Sequence, residues 1–451
     1  MIFQNRFKPI SISLSPNIEP DDVGLVLKLI FSPLKWKKGK EIKELENYFK
    51  KYIGSKHAFS FNSGRSSLYA ILKTLDLPQD TDVLLQAFTC NAAVNPILWL
   101  NLNPIYIDCN ENSFNMDVND LKKKVSALQP TQSKVLMVQH TFGLPANIDE
   151  INLIVRQNGL ILIEDCAHAL GAEYLSSHHS SEDEMVVMGK NHPPLPVPPK
   201  RDGVGARKVG TFGKAGFFSF SRDKVISSVY GGMVVTNDDV LAKKLEKLQS
   251  DIGYPSYLWI LQQLLHPILL NFIILPMYNF LDLGKIFLVL SQWFHILSKA
   301  VHWKEKRGLK PDYFPKALPN ALALMAQNQL NKLSMFNSHR QKIAEFYYKE
   351  LQGTAFGLPQ KSGNIFLRFT VTHPKAHEII YEAWHKENIL LGDWYTSPIA
   401  PADTKLDQMR YKIGSCPTAE KLSKTTLNLP THINISKTDL EKIVNFLKKW
   451  K

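Results

Sequence analysis

The sequence predicts an α/β fold, with a mostly parallel sheet in a large domain, a smaller C-terminal α+β domain and an apolar helical insertion. Three observations support this prediction. Apolar strand-like runs alternate with helical patterns from about residue 57 to residue 250, the pattern changes beyond residue 335, and an apolar stretch interrupts the chain between residues 253 and 303.

The large domain, preceded by an N-terminal arm, is expected over residues 1–252. The run HAFSFNSG leads into the helical pattern SSLYAILKTL, and DVLLQAF leads into NAAVNPILWL. Further apolar runs follow, among them NPIYID, KVLMVQHT, LILIED, AGFFSFS and GGMVVTN. This alternation indicates parallel strands with helices on both faces, and the ligands of such sheets lie at the carboxyl ends of the strands.

The next predicted unit is a hydrophobic helical insertion over residues 253–310. Residues 258–281 carry no formal charge over 24 positions, enough to span a bilayer, but Pro267 and Pro276 would kink a single span. Basic residues flank both ends, so both ends should share one side of a membrane. One interpretation of residues 253–303 is an interfacial or re-entrant hairpin in contact with a membrane. The other is a pair of helices that are buried against a second subunit or cover the active site.

A return helix to the large domain is expected at residues 311–334, followed by a small C-terminal domain at residues 335–451. The small domain combines the helical patterns FNSHRQKIAEFYYKEL, HEIIYEAWHKEN and KTDLEKIVNFLKKW with the strand NIFLRFTV. A further insertion, at residues 175–207 in the large domain, places histidines beside acidic residues. Because their spacing fits no familiar ligand set, we expect an acidic, proline-rich surface loop and no metal site.

Composition excludes several classes of protein. The chain has 451 residues, of which 44% are hydrophobic, enough for a large core. Its four cysteines are scattered without CxxC spacing, so neither disulfides nor structural zinc are expected and a reducing cytoplasm fits best. The N-terminus lacks the pattern of a secretory signal. A net charge of +13 suits an anionic partner such as a nucleotide or a phospholipid surface; no motif accompanies it that would indicate nucleic-acid binding.

Two residues, Lys224 and Asp165, decide the functional prediction. Asp165 ends the apolar run LILIED, and Lys224 follows shortly after the run FFSFS. An amine and a carboxylate at the ends of buried strands are what an enzyme that uses pyridoxal 5'-phosphate (PLP) needs. The lysine can hold the cofactor aldehyde as a Schiff base, and the aspartate can keep the pyridine nitrogen protonated so that the ring withdraws electrons.

The segment NSGRSSLYAIL offers a site for the cofactor phosphate. Ser63 and Gly64 allow a tight turn, Ser66 and Ser67 can cap the helix that follows, and the helix N-terminus presents unpaired amides to an anion. Taken alone, the segment is more often an ordinary helix cap without a ligand. Ser219, which precedes Lys224 in SFSRDK, can reach the same phosphate from the strand side.

These segments closely resemble the sugar aminotransferases of the DegT/DnrJ/EryC1/StrS family, which have the fold type I architecture of PLP-dependent enzymes. The resemblance covers most of the chain outside the insertions, in family order. It is carried by NSGRSSLYAIL, DVLLQAFTCNAAVNPIL, PIYIDCNENSFNMD, QHTFGLPANIDEI, LILIEDCAHALGAEY, GTFGKAGFFSFSRDKVISSVYGGMVVTND and CPTAEKLSKTTLNLPTHINI.

The resemblance implies a role for each matching residue. Lys224 would be the Schiff-base lysine, Asp165 the partner of the pyridine nitrogen, and His168 a hydrogen-bond partner of the cofactor's phenolic oxygen. Gly231 and Gly232 match the tight turn after the lysine, where a side chain would crowd the approach of a partner subunit. The phosphate-binding positions are matched by Gly64, by Arg65 through its backbone amide, and by Ser219.

The chain departs from the family pattern at two positions. Cys90 stands where the family usually places an aromatic residue over the cofactor ring, so ring stacking is either thinner or supplied by Phe88. The family also commonly receives a phosphate contact from an asparagine of the neighbouring subunit. Here Ala317 lies near the expected place, with Asn320 only nearby.

The resemblance further implies a homodimer that transfers an amino group from glutamate to a keto sugar, linked to a nucleotide, for the biosynthesis of amino sugars and surface polysaccharides. Arg368 would bind the donor carboxylate, although a surface arginine on a strand is the alternative. Three other functions stay open: a membrane-associated enzyme that acts on a lipid-linked sugar, a binding or regulatory protein, as Cys90 and Ala317 suggest, and a PLP-dependent sugar dehydratase. Retention of Lys224 argues against the dehydratase.

Overall fold

The computed structural model describes residues 7–128, 134–175 and 206–451. The strands in these residues are β1 (Ile10–Ser11), β2 (His57–Phe61), β3 (Asp82–Gln86), β4 (Thr89–Cys90), β5 (Asn103–Ile107), β6 (Lys134–Gln139), β7 (Ile161–Asp165), β8 (Glu173–Leu175), β9 (Ala206–Lys208), β10 (Ala215–Ser219), β11 (Gly232–Thr236), β12 (Phe369–Thr372), β13 (Ile389–Leu390), β14 (Ile399–Ala400) and β15 (Thr426–Leu429).

The α-helices of the described residues lie between these strands. They are α1 (Pro20–Ile30), α2 (Glu41–Ile53), α3 (Gly64–Thr74), α4 (Asn91–Trp99), α5 (Val118–Ser126), α6 (Ile148–Asn158), α7 (Asp239–Asp251), α8 (Tyr257–Leu269), α9 (Leu283–Trp293), α10 (Asn320–Leu330), α11 (Leu333–Leu351), α12 (Ala376–Glu387), α13 (Pro417–Thr425) and α14 (Lys437–Leu447).

A seven-stranded sheet with the order β2-β11-β10-β7-β6-β3-β5 forms the centre of the large domain. Only β11 runs antiparallel to its neighbours in this sheet, and the remaining pairs are parallel. Helices cover both faces. In β3, for example, Val83 and Leu85 join the core formed with α3 and α4, whereas Leu84 joins the core formed with α5 and α6. Burial on both faces explains why these strands are continuous apolar runs, and the predicted α/β class is confirmed.

The C-terminal part of the chain has its own apolar core, built from α11, α12, α14 and the antiparallel pair β12 and β15. The strand predicted from NIFLRFTV is shorter than expected, because only Phe369–Thr372 is a strand. Before it, the Phe366 amide donates to the side chain of Asn364, and Phe366 has a φ of 52°. This local turn keeps Arg368 out of the strand.

The apolar insertion folds as a helical hairpin on the large domain. Helix α8 packs against α1 and continues through a π-helical turn, Leu270–Ile274, before the chain reverses into α9. Gly284 makes the reversal compact, since a Cβ atom there would lie 2.3 Å from the carbonyl oxygen of Ile274. Among the described residues, one helix, Tyr257–Ile274, is long and apolar enough to cross a membrane, and 44% of it is buried in the protein.

Strands β8 and β9 flank the insertion predicted at residues 175–207. They pair antiparallel, with Glu173 opposite Lys208. The histidines and acidic residues that were weighed as metal ligands lie outside the described residues. The domain boundaries at residues 252, 310 and 334 stay a prediction.

Candidate active site

A cavity lies at the carboxyl ends of β7 and β10. In the register of the sheet, Asp165 at the end of β7 is opposite Gln139 of β6 and Phe217 of β10. Nine of the ten predicted site residues line this cavity, and Phe88 does not. The residues brought together are Ser63, Gly64, Arg65, Cys90, Asp165, His168, Ser219, Lys224 and Arg368.

Lys224 lies in the tight segment that follows β10. Asn17 and Arg340 hold this segment from outside the cavity: the Asn17 side chain donates to the Lys224 carbonyl over 2.7 Å, and Arg340 donates to the Val225 carbonyl over 2.8 Å. Burial lowers the pKa of Lys224 to about 8, and the positive charge of Arg368 acts in the same direction. The lysine therefore reaches its neutral, nucleophilic form at a lower pH than an exposed lysine would.

Asp165 is buried, and burial raises the pKa of its carboxyl group. The Ala167 amide, Lys224 and His140 oppose this rise, and the amide donates to Asp165 Oδ1 over 3.0 Å. The contact with Ala167 fixes the carboxylate and leaves its second oxygen available to a ligand. A cationic ring nitrogen beside this group would further favour its ionised form.

His168 packs flat against Phe142, with ring centroids 5.6 Å apart. Its Nδ1 atom accepts from the Phe142 amide over 3.3 Å, so in the neutral ring the proton lies on Nε2. Nε2 is 3.5 Å from the hydroxyl of Tyr395. Burial, followed by Lys224 and Arg368, lowers the pKa of His168 well below its ordinary value. His168 is therefore a neutral donor, as a contact with a phenolic oxygen requires.

The N-terminus of α3 has the geometry of an anion site. Ser63 is the N-cap and accepts from the Ser66 amide over 3.0 Å, so the cap is not Ser66 or Ser67 as the sequence suggested. The first-turn amides of Gly64 and Arg65 have no acceptor within the helix. Ser219 lies directly beside them, because a Cβ atom on Gly64 would be 3.0 Å from the Cβ atom of Ser219.

The Arg65 side chain points to the irregular segment that follows the helical hairpin of the apolar insertion. Its guanidinium pairs with the buried carboxylate of Glu305 and also donates to the Ala300 carbonyl over 2.9 Å. Burial alone would lower the pKa of Arg65, but Glu305 reverses this and raises it. Only the backbone amide of Arg65 is therefore available to a phosphate, as predicted.

The crowding at Gly231 and Gly232 arises within one chain. A Cβ atom on Gly232 would lie 2.6 Å from the Gly64 nitrogen, and one on Gly231 would lie 2.7 Å from the Ser228 hydroxyl. With a larger residue at Gly232, β11 could not approach the start of α3. The expectation that a side chain here would crowd a partner subunit stays a prediction.

Ring stacking by Phe88 was a wrong prediction. Phe88 is fully buried and packs on Tyr395 and Phe142 behind the cavity wall. Cys90 does line the cavity, as predicted. Trp394, which the sequence analysis missed, supplies an aromatic side chain to the cavity wall.

Arg368 is buried and lines the cavity, so the alternative of a surface arginine is wrong. Its guanidinium carbon lies 3.4 Å from the ring centroid of Trp394, and its Nη2 atom is 3.5 Å from the Asp223 carbonyl. The Nη1 atom of Arg368 and the Oδ1 atom of Asp223 have no hydrogen-bond partner in the described part of the chain. A buried, unpaired guanidinium donor suits a carboxylate ligand.

Neither residue weighed as an intersubunit phosphate contact lines the cavity of its own chain. The Asn320 side chain donates to the Lys35 carbonyl over 3.0 Å, and Ala317 forms an isolated β-bridge with Phe61. The Asn320 amide is thus already used within the chain.

These groups fit pyridoxal phosphate. The cavity combines an amine of lowered pKa, a buried carboxylate, a neutral imidazole donor and a helix N-terminus flanked by serine hydroxyls. The central sheet and this site together define the fold type I class of PLP-dependent enzymes, to which aminotransferases belong.

Comparison with known proteins identifies the family. The model of the DegT/DnrJ/EryC1/StrS aminotransferase family matches residues 21–254 and 312–448, so the chain belongs to this family and the sequence prediction is confirmed. The family model leaves residues 255–311 unmatched, and this range contains almost all of the apolar insertion.

Curated relatives and solved structures agree with this assignment. GDP-perosamine synthase of Vibrio cholerae is 29% identical over 47% of this chain, and the alignment spans only 49% of that enzyme. The UDP-N-acetyl-3-dehydro-alpha-D-glucosamine 3-aminotransferase of Acidithiobacillus ferrooxidans is 23% identical over 88% of this chain and 85% of the relative.

Among solved structures, a family aminotransferase from Brucella abortus has a TM-score of 0.67 at 19% identity and covers 95% of both chains. Helicobacter pylori PseC, an aminotransferase of pseudoaminic acid biosynthesis, has a TM-score of 0.68 at 19% identity and covers 98% of this chain and 99% of its own. At these identities the likeness shows the fold.

Proposed function

We propose that the protein is a PLP-dependent aminotransferase that moves an amino group from glutamate to a keto sugar. The observation that carries the proposal is the meeting of Lys224, Asp165 and Arg368 in one cavity, beside the helix N-terminus that suits a phosphate. Two of these groups serve the cofactor and the third suits the donor carboxylate.

When bound, PLP supplies an electron-withdrawing ring that makes a proton on the carbon next to an amino group acidic. Lys224, neutral at a lower pH than usual, would hold the cofactor and move that proton. Asp165 would hold a proton on the ring nitrogen, and His168 would donate to the phenolic oxygen. The α3 amides and Ser219 would bind the phosphate, with Ser63 capping the helix that presents those amides, and Arg368 would orient the carboxylate of the donor.

The acceptor belongs to the same proposal. Relatives named for amino sugars, such as GDP-perosamine synthase, support a nucleotide-linked keto sugar and a place in polysaccharide biosynthesis. The direct test is to add glutamate to purified, PLP-loaded protein, follow the visible cofactor spectrum, and then add a panel of nucleotide-linked keto sugars. A spectral change with glutamate that a keto sugar reverses supports the proposal. No response to any amino donor would refute it.

Arg368 carries the prediction for donor recognition. We expect Arg368→Ala to raise KM for glutamate about 10- to 100-fold, because a hydrogen bond to a charged group contributes about 1.5–3 kcal/mol. Arg368→Lys should lose less. The measurement is the rate of the cofactor spectral change against glutamate concentration, with exposed Arg156→Ala as the matched control. An unchanged KM in Arg368→Ala would remove the residue from donor binding.

The alternatives predict different behaviour in the same assays. A dehydratase would consume the keto sugar without incorporating nitrogen, and a binding or regulatory protein would hold PLP without responding to glutamate. Lys224 in the cavity favours transamination over dehydration.

The quaternary structure in this proposal is a homodimer in the cytoplasm, supported by the dimeric character of the family. Light scattering on the PLP-loaded protein tests it, and a monomer that turns over glutamate would contradict it.

We further propose that the hairpin contacts the cytoplasmic face of a membrane. The outward face of α9 is a stripe of apolar side chains, Leu283, Ile286, Val289, Leu290 and Trp293, of which Trp293 is 71% exposed. The small residues Gly284 and Ser291 face the protein instead. In α9 the large apolar side chains face outward and the small residues face the protein, the reverse of a helix on a water-exposed surface. This pattern suits a helix whose surroundings are apolar. Exposed basic side chains follow the hairpin and suit anionic headgroups: Lys299, Arg307 and Lys310.

Vesicle binding tests the membrane proposal. We expect the protein to float with vesicles of mixed neutral and anionic phospholipid, and Val289→Glu with Trp293→Glu to weaken binding at least about tenfold, since each buried apolar side chain contributes about 1.5–3 kcal/mol. Leu153→Glu, an exposed apolar position on α6, is the control. Equal flotation of the double variant and the Leu153→Glu control would contradict membrane contact. A changed oligomeric mass without vesicles would instead identify the stripe as a subunit interface.

A further inference from the structure

The irregular segment that returns from the hairpin runs along the active site of its own chain. Residues 298–305, called the return segment, connect α9 to the rest of the large domain. Ala300 and Val301 in this segment line the cavity. The family model does not match this part of the chain.

The return segment contacts both structural elements that would hold the cofactor. On the lysine side, the Tyr230 hydroxyl donates to the Lys299 carbonyl over 2.7 Å, and the Arg222 guanidinium donates to the Ser298 hydroxyl. Arg222 is two positions before Lys224 in the chain. The Ser298 hydroxyl donates in turn to Gln263 of α8 over 2.7 Å, which ties the segment to the hairpin.

On the phosphate side, the contact is the buried pair of Arg65 and Glu305. Glu305 is 0% exposed, and its second carboxylate oxygen accepts from the His302 amide over 2.8 Å. The Glu305 carbonyl accepts from the side chain of Asn95 in α4 over 3.1 Å. Every polar group of Glu305 that faces the protein is therefore engaged, and Arg65 is the only described cation paired with it.

The pair of Arg65 and Glu305 restricts the position of the start of α3. Arg65 occupies the second position of the helix whose amides suit the phosphate. Because Glu305 and the Ala300 carbonyl hold its guanidinium, the side chain cannot swing into the phosphate position, and the helix start is tied to the return segment. A buried charge left without its partner is costly, so the pair resists separation.

We propose that the return segment is a clamp on the cofactor site, and that Glu305 is its positioning residue, acting through Arg65 on the start of α3. Glu305 does not touch the cofactor. It fixes the position of the Gly64 and Arg65 amides by holding the Arg65 guanidinium against the return segment. This inference rests on the proposed PLP function.

The test measures PLP affinity and the thermal stability of the apo protein separately. We expect Glu305→Gln to weaken PLP binding at least about tenfold in an absorbance titration, while kcat at saturating PLP changes less than the apparent affinity does. The double variant Arg65→Met with Glu305→Leu replaces the ion pair by apolar groups. The double variant should unfold at the temperature of the unaltered protein, because apolar packing replaces the ion pair. Its PLP affinity should stay as weak as that of Glu305→Gln, because the hydrogen bonds that orient the start of α3 are lost.

Two further variants keep the result decisive. Tyr230→Phe removes only the hydroxyl bonded to Lys299 and should weaken PLP binding severalfold, even where Glu305→Gln fails to fold. Lys306→Ala is the matched control, because Lys306 follows Glu305 and pairs with Asp403 at the surface. It should bind PLP as the unaltered protein does.

Each remaining outcome overturns the clamp. Unchanged or tighter PLP binding in Glu305→Gln would do so, and so would recovery of affinity together with stability in the double variant, which would reduce the pair to a structural role. If the unaltered protein bound no PLP, the proposed function would fail first. If it bound PLP and every variant matched it, only the clamp would fail.

Discussion

Lys224→Ala is expected to lower the rate of amino transfer by about 10⁴-fold, because the same amine holds the cofactor and moves the proton during the reaction. PLP should still bind, since the start of α3, Ser219, Asp165 and His168 are unchanged. The visible spectrum should shift to that of the free aldehyde. Lys224→Arg should be as inactive, because arginine keeps a charge but cannot lose a proton at neutral pH.

Two measurements isolate the role of this amine. Borohydride treatment followed by peptide mass spectrometry should fix the cofactor on the peptide that contains Lys224 in the unaltered protein and on no peptide in Lys224→Ala. Small primary amines added to the variant should restore part of the proton transfer. Lys214→Ala, at an exposed lysine that pairs with Asp238, is the control and should retain activity. Normal turnover by Lys224→Ala would refute the assignment.

The sequence was sufficient to predict the central sheet and the main chemical groups of the site. The apolar runs before Asp165 and Lys224 are long enough to be buried strands, and β7 and β10 are neighbours in the sheet. Adjacent strands place their carboxyl ends together, so two groups 59 positions apart in the numbering meet in one cavity. The motif at the start of α3 was recognisable for the same reason, because helix starts are local in sequence.

Residues that depend on long-range packing could not be predicted. Arg65 and Glu305 are separated by 240 positions, and Glu305 stands in a run of basic residues that looks solvated in the sequence. Trp394 belongs to an irregular segment without periodicity. Arg340 lies on a helix that reads as polar, yet it is buried where it donates to Asn17 and to the Val225 carbonyl. Polar residues engaged in this way leave no local pattern.

The orientation of the hairpin could not be predicted from the sequence either. Its length and apolar character were evident in the sequence, but which side faces the protein depends on Gly284 and Ser291, whose small size matters only against a packed neighbour. The return segment could not be assigned to the active site at all from sequence, because Ala300 and Val301 carry no chemical signal.

Burial of Asp165 predicts a pH effect on cofactor binding. Because burial raises its pKa, the carboxylate takes up a proton at a higher pH than an exposed aspartate does. PLP affinity should therefore fall as the pH drops, beginning above the range in which exposed carboxylates titrate. The opposite trend, tighter binding at low pH, would contradict an ionic contact with the ring nitrogen.

Asp165→Asn is expected to lower kcat by about 10²- to 10⁴-fold with modest loss of PLP, because the amide fills the same volume but cannot hold a proton on the ring nitrogen. A PLP analogue methylated at the ring nitrogen carries a permanent positive charge, so it should restore activity in Asp165→Asn more than PLP does. Exposed Asp251→Asn is the control. Because a loss caused only by disturbed packing would respond equally to both cofactors, the ratio of the two rates decides whether Asp165 acts through charge.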